Sequence, residues 1–510
     1  MPITAEELEI ALRVLGAVAE DRGVLATTDR ATRERLQRLA GEVARPDLKQ
    51  RKKLQKALAR EERRASRAHD EELRQGTGIK RLRAQPVFQA PPPLLDAAPP
   101  AHLDAEPAAA RYVEERKCYV CKRPYLERHH FYDQLCPSCG DVNFAKRTAS
   151  ADLRGRVALV TGARVKIGFQ AALLLLRAGC TVVACTRFPH DAAARFAAMP
   201  DFSTWRERLH VYGVDLRHTP SVELLAAHLT RTLPRLDFQL HNACQTVRRP
   251  PGFYRHLLER ELATHDHVDA DARPLLAGYQ ELVRSHAGSA SVATPALLSQ
   301  AASEADLLPL AALPAGSTAL ELFPRGVLDA DLQQVDLRAH NSWRLALGDV
   351  PTLELLEVLL VNATAPFVLT QRLLSTMQAS ATPPPGTVTS HDGARHIVMV
   401  SAMEGQFYRQ HKTDKHPHTN MAKAALNMLV RTSAAALAGD GIYLNAVDTG
   451  WVTDEDPAQL AAKKVEEHRF SPPLDIVDGA ARIVDPIVAG FTTGKHAHGV
   501  FFKDYAPTPW

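Results

Sequence analysis

A chain of 510 residues is too long for one ordinary domain and can bury a sizeable core. Its 45% hydrophobic and 24% charged content is that of a globular protein and excludes wholesale disorder. The formal charge of +4 is unevenly spread, because Arg45 to Gln85 alone carries fourteen Lys/Arg against six Asp/Glu and the remainder is slightly acidic. No run approaches eighteen apolar residues, and the N-terminus carries acidic residues where a secretory leader is basic. The expectation is a soluble, cytoplasmic protein without membrane contact.

Residues 1–85 read as a basic helical region. Thr4 with Glu7 predicts a capping box, and Leu8, Leu12, Leu15 and Val18 follow at helical spacing. A second helix is predicted over Asp29 to Ala44, with Leu36, Leu39 and Val43 on one face, and a charged helix from Asp47 to about Gln75. Residues 45–85 have the charge to contact nucleic-acid phosphates or an acidic protein; with no aromatic residue among the charges, a solvated helix is the favoured reading. Residues 86–110 are rich in Pro and Ala, a semi-rigid linker.

Residues 111–150 hold two CxxC pairs, Cys118 with Cys121 and Cys136 with Cys139, fourteen residues apart. Two such turns offer four thiolates at the corners of a tetrahedron, the geometry Zn2+ accepts, and a closed shell of four makes the site structural. The pattern resembles a zinc ribbon or knuckle. His129 and His130, between the pairs, are alternative ligands. A redox dithiol is the weaker reading, since neither pair is expected to open a helix after a strand.

From residue 151 to the end, strand and helix signals alternate, which predicts an α/β fold with a doubly wound parallel sheet. A buried strand ending at Thr161 runs into a turn from Gly162 to Gly168 and then a helix, the arrangement that holds a pyrophosphate on backbone N–H groups. The second strand ends at Arg187. There an acidic residue would bind the ribose 2′-hydroxyl of NAD, whereas arginine suits the 2′-phosphate of NADP. Val214-Asp215-Leu216, Asn242-Ala243 after the next strand, Asn362 on a helix, a strand ending at Ser401 and Thr449-Gly450 follow in order.

These landmarks resemble the short-chain dehydrogenase/reductase family over about 350 residues. The resemblance implies a Rossmann fold with NADP(H) held by Thr161, Gly162, Arg164, Lys166, Ile167 and Gly168 at the phosphates. It implies Arg187, Asp215 and Leu216 at the adenosine, Asn242 and Ala243 under the cofactor, and Thr449 and Gly450 over the nicotinamide. Lys166 stands at the family's middle glycine. It also implies a homo-oligomer formed through the Asn362 and Lys423 helices.

The family's chemistry is hydride transfer between a nicotinamide and a carbonyl or alcohol carbon, with a Tyr moving the proton, a Ser orienting the oxygen and a Lys four residues after the Tyr. Here Lys423 is present, but the Tyr position is Thr419, whose hydroxyl is far too weak an acid. Ser401 is the candidate serine, although counting back from Gly405 puts Ala402 at the usual site. Asn362 matches the helix Asn that tethers a relay water. The loop from Glu404 to His418 supplies substitute acids: Tyr408 first, His418 second, then Glu404 and His416. An insertion at about 250–345, Ala/Ser/Pro-rich over 285–320, replaces a short connection. Its Arg248 and Arg249 either clamp an acidic substrate group or anchor the insertion to carboxylates, and Asp336 to Trp343 is a candidate lining of the same cleft. The leading expectation is an NADP(H)-dependent oxidoreductase acting on a small-molecule carbonyl or alcohol. The alternative is a catalytically silent NADP(H)-binding regulatory or scaffold protein.

Overall fold

The computed structural model describes residues 3–88, 110–262, 269–286, 319–382, 393–409, 412–468 and 471–510. Most of the expected linker and the 287–318 part of the insertion therefore lie outside the described residues. The chain divides into two compact units, Met1–Glu72 and Leu73–Trp510.

The first unit is helical: α1 (Ala5–Glu20), α2 (Arg30–Ala44) and most of α3 (Leu48–Gln75). The capping box forms as expected, with the Glu7 N–H donating to Thr4 Oγ1 at 3.2 Å and the Thr4 N–H donating to Glu7 Oε2 at 2.8 Å. No residue of α1 or α2 is buried.

The second unit joins the cysteine module to the sheet. It opens with the end of α3 and α4 (Gly78–Arg83), then an antiparallel hairpin of β1 (Arg111–Lys117) and β2 (Pro124–Glu127), then α5 (Pro137–Lys146). The main sheet follows as β3 (Val157–Thr161), α6 (Lys166–Arg177), β4 (Thr181–Thr186), α7 (Pro189–Ala197), β5 (Leu209–Gly213), α8 (Thr219–Thr232) and β6 (Phe238–His241). The insertion contributes α9 (Pro251–Leu262) and α10 (Ala277–Ser285). Next come α11 (Thr352–Leu359), a π turn (Leu360–Thr364), α12 (Ala365–Ala379), β7 (Arg395–Ser401), α13 (Pro417–Gly439), β8 (Ile442–Asp448), α14 (Ala458–His468), α15 (Ile476–Thr493), β9 (Phe501–Lys503) and β10 (Ala506–Thr508).

The strand order is β10-β9-β8-β7-β6-β3-β4-β5, parallel from β9 to β5, with β10 antiparallel at the edge. Strand β3 reads VALVT and is buried throughout, as an interior parallel strand covered on both faces must be. The order reverses between β3 and β6, which opens a crevice at the carboxyl ends of these strands. Helix α6 lies against α15, while α12 lies against α8 and α11 against α13. The stretch Thr352–Ala379, which comprises α11, the π turn and α12, is long and apolar enough to cross a membrane by length and composition alone.

The core of the cysteine module is completed by the sheet half. Tyr112, Tyr125, Phe131, Tyr132 and Leu135 cluster with Val452, Leu474 and Ile476 from the sheet half. Beside this cluster, the buried Arg147 Nη1 donates to Asp475 Oδ1 at 2.7 Å and Asp478 Oδ1 at 2.9 Å. The Tyr132 hydroxyl donates to Asp478 at 2.5 Å. Asp475 caps α15, accepting from the Val477 and Asp478 N–H groups at 2.9 and 3.0 Å. Burial opposes the Asp475 carboxylate, yet Arg147 outweighs it and holds its pKa below the usual range. Burial and the adjoining Asp475 push Asp478 up.

Removing one partner of such a network leaves an uncompensated buried charge. Arg147→Ala should lower the unfolding free energy by about 3–5 kcal/mol, read from the urea midpoint. A loss below about 1 kcal/mol, the scale of a surface pair, would mean the network does not hold the module.

Three buried imidazoles set an acid limit. Burial pushes His241 down to about 3, His129 to about 4 and His396 well below its ordinary value. An unfolded imidazole titrates near 6.5, so below that pH the unfolded chain binds protons that the folded rings do not. Stability is therefore present above about pH 6.5 and is lost as pH falls toward the folded values, by roughly 1.4 kcal/mol per pH unit per ring. Unfolding free energies at pH 7 and pH 5 should show this slope reduced in His241→Gln.

Candidate active-site cleft and cysteine cluster

The crevice at the β3/β6 reversal is a cleft of about 1110 Å3. Its floor is the glycine turn. Gly162 has φ +69°, and a Cβ there would sit 2.9 Å from the Ala243 Cα. A Cβ on Gly168 would lie 2.2 Å from the Gly162 carbonyl oxygen and 2.4 Å from Asn242 Nδ2. Asn242 donates to the carbonyls of Thr161 and Gly162 at 3.2 and 3.3 Å, and the Ala243 N–H donates to Thr161 Oγ1 at 3.1 Å. Thr161, Gly162, Gly168, Asn242 and Ala243 thus form one knot, and all five line the cleft with Ile167 and Lys166. Lys166, the first residue of α6, has φ +55°, a left-handed conformation that costs a side chain about 1–2 kcal/mol. The backbone still makes the turn that the family makes with glycine.

Arg164 lines the cleft and is engaged by the protein itself. It is buried, ion-paired to Asp191 at 2.8 Å and hydrogen-bonded to Gln333 at 2.6 Å. Its charge ties the turn to α7 and the insertion. Arg187 stays on the cleft wall: it donates to the Tyr254 hydroxyl at 2.8 Å and stacks 4.6 Å from that ring. Burial opposes ionisation of Tyr254, but Arg187 and its neighbours hold the phenol below its ordinary value. Asp215 and Leu216 line the same end, with the Asp215 carboxylate bound by Arg217 at 2.6 Å. Arg248 donates to Glu357 at 2.9 Å and does not line the cleft, whereas Arg249 pairs with Asp336 of the insertion and also lines the cleft. Within Asp336–Trp343, only Trp343 lines the cleft.

At the opposite end, Lys423 is buried, lines the cleft and donates to the Val400 carbonyl at 2.6 Å. Thr449 and Gly450 also line it; the Gly450 N–H donates to Asp448 Oδ1 at 2.7 Å, while the Met403 N–H donates to Asp448 Oδ2 at 2.8 Å. Ser401 turns its hydroxyl toward α13, onto Asn427 Oδ1 at 2.5 Å and the Lys423 carbonyl at 3.4 Å. Asn362 sits in the π turn, with its side chain clamped on the Gln245 backbone at 2.7 and 3.2 Å. It positions the start of the insertion and does not face the cleft.

The substitute acids are re-ordered by geometry. Tyr408 is about half exposed and does not line the cleft. His418 is buried against Glu354, 3.5 Å away on α11, and does not line it either. His416 and Glu404 do line it. The reason is helical rotation: His416 caps α13 in a left-handed conformation (φ +43°), and two residues further on, at about 100° per residue, His418 points to the far side. The His416 ring stacks on Trp343 with centroids 3.8 Å apart, and its Nδ1 lies 3.1 Å from Asn420 Oδ1. Burial lowers its pKa while Glu404 raises it.

Sequence reasoning missed Tyr254, Tyr119, Lys122 and Lys503, which also line the cleft. They come from the insertion, the cysteine turn and β9, and no motif in these segments points their side chains at the cleft.

The four thiols of Cys118, Cys121, Cys136 and Cys139 lie within 4.8 Å of one another. The Cys121 and Cys136 sulfurs are 3.8 Å apart, the edge of a tetrahedron with metal–sulfur bonds of about 2.3 Å. The donor set therefore fits a tetrahedral cation. Contrary to expectation, the second CxxC does open a helix, with Cys136 as the N-cap residue of α5. His129 and His130 lie near Asp141 in a second group. The His129 Nδ1 already accepts from the Phe131 and Tyr132 N–H groups at 3.0 and 3.1 Å, which leaves the proton of the neutral ring on Nε2, facing Asp141. That nitrogen is a donor and not a metal ligand.

A doubly wound sheet with a glycine turn at its switch point defines the class of dinucleotide-binding α/β proteins. The chain matches the short chain dehydrogenase family profile over residues 156–262, from β3 to the end of α9. It is 29% identical over 388 residues to the uncharacterized protein R665 of Acanthamoeba polyphaga mimivirus, covering 73% of this chain and 71% of that one. It is 37% identical over 105 residues to dehydrogenase/reductase SDR family member 13 of Bos taurus, covering 20% of this chain and 27% of that protein. The Pseudomonas aeruginosa RhlG/NADP active-site complex aligns with TM-score 0.40 and 19% identity over 69% of this chain and 95% of that one.

Loading with Co2+ should give the charge-transfer and visible bands of a tetrahedral tetrathiolate site, and Cys121→Ser should weaken them and release the metal more readily to a chelator. Purified protein that takes up no metal would remove the site.

Proposed function

We propose that the protein is an NADP(H)-dependent oxidoreductase that moves a hydride to or from the carbonyl or alcohol carbon of a small molecule, with His416 in place of the missing phenol. The observation that carries this reading is the convergence of Lys423, His416 and Glu404 with the Thr449–Gly450 loop at one end of the cleft whose other end is the glycine turn. The nicotinamide, when bound, supplies the hydride. Backbone N–H groups of the 162–168 turn and the Lys166 ammonium would hold its phosphates, and Arg187 a 2′-phosphate. Lys423, fixed by the Val400 carbonyl, offers its remaining N–H groups to a ribose. His416, whose pKa burial holds below its ordinary value against the pull of Glu404, is the group placed to give or take a proton at the substrate oxygen. Zn2+ in the Cys118/Cys121/Cys136/Cys139 shell has no open position and acts structurally.

A silent NADP(H)-binding regulatory or scaffold protein is the second reading, favoured by Thr419 at the proton-donor position and by the turned hydroxyl of Ser401. In both readings the protein is cytoplasmic, the 48–69 part of α3 is a solvated basic helix while Arg74, Thr77 and Ile79 beyond it are buried, and two copies pair through α12 and α13, where Phe367, Met421 and Met428 are exposed.

Titrating NADPH and NADH by fluorescence tests the cofactor. NADPH should bind more tightly, and Arg187→Ala should weaken it by about ten- to a hundredfold, the scale of a charged hydrogen bond, with NADH little changed. Turnover of NADPH on a carbonyl panel, lost in His416→Gln with binding kept, supports the oxidoreductase. Tight NADPH binding without turnover on any carbonyl supports the silent protein.

A further inference from the structure

The cysteine module reaches into the cleft at one side chain. Tyr119 follows Cys118 in the first CxxC turn, and its N–H donates to the Gln134 carbonyl at 2.9 Å, which fixes it from the module side. Its ring lies 4.7 Å from Lys122 Nζ and 5.6 Å from Lys503 Nζ. Its hydroxyl oxygen accepts the N–H of Trp451 at 2.9 Å, in the loop that follows Gly450. Both Tyr119 and Trp451 line the cleft. Lys503 in turn lies 3.6 Å from Asp448, the carboxylate that receives the Gly450 and Met403 N–H groups.

The loop at 449–451 is thus held from two sides: by Asp448 from within the sheet, and by a phenol from outside it. Gly450 itself has no latitude, since a Cβ there would lie 2.5 Å from Leu474 Cδ1 and 3.4 Å from the Tyr119 hydroxyl. In accepting from Trp451, the phenol keeps its own proton, which has no acceptor among the described residues and is available to a molecule in the cleft.

We propose that Tyr119 is a positioning residue through which the cysteine module sets the Gly450–Trp451 loop, so that the module is part of the dinucleotide-binding cleft as well as of the fold. This rests on the reading of the cleft as an NADP(H) site. The module then has a reason to be fused to this sheet: it supplies a wall residue that the sheet half lacks.

The test is Tyr119→Phe in the full, metal-loaded chain, which keeps the ring and its cation contacts and removes only the hydroxyl. NADPH affinity is measured by fluorescence titration beside thermal melting and the emission of Trp451. The expected result is NADPH binding weakened roughly three- to tenfold, the effect of one hydrogen bond, with a changed Trp451 emission and an unchanged melting temperature. Wild type that binds NADPH and a Tyr119→Phe variant that binds it equally well would overturn the inference and leave the cofactor reading standing. An affinity loss that appears only with a matching fall in melting temperature would assign Tyr119 to packing and overturn it too. Wild type that does not bind NADPH overturns the cofactor reading and this inference with it.

Discussion

The guanidinium of Arg147, shared between Asp475 and Asp478, is the contact on which the second unit depends. It lies at the end of the cysteine module and grips the first turn of the helix that backs the sheet. Asp475 could not cap α15 and stay ionised in that buried place without it. A metal cluster alone folds a module; here the module also borrows Val452, Leu474 and Ile476 for its core. Charge and apolar burial therefore act at the same seam, and the seam runs behind the loop that closes the cleft.

The cleft itself keeps its backbone shape while several of its polar groups take other partners. Every element that makes the dinucleotide crevice is in place, down to a lysine forced into the backbone conformation of a glycine at position 166. The polar groups are reassigned around it. Ser401 anchors a helix, Asn362 clamps the insertion, and Arg164 neutralises Asp191. Each is a buried polar group that took the partner nearest to it, as burial requires.

Much of the fold was legible in sequence, because buried parallel strands read as short apolar runs and a glycine turn between strand and helix has few alternatives. The four cysteines were legible for the same reason, since their spacing encodes a geometry. What failed was direction. Spacing along the chain places Tyr408 and His418 near the cleft, but neither lines it; His416, at its left-handed cap, is the ring that turns inward, and nothing in the residue types announces it. The insertion was legible as an insertion and illegible as a wall: Tyr254 stacks on Arg187 from more than sixty residues away. Tyr119 carries no motif at all, and its place follows from how two modules meet.

The seam also orders events in time. Arg147 and Asp475 are 328 positions apart in the chain. At about 5–20 residues per second of synthesis, the module leaves the ribosome roughly 15–65 s before its helix exists. During that interval its aromatic cluster lacks Val452, Leu474 and Ile476, the three apolar side chains that complete it, and must stay in solution without them.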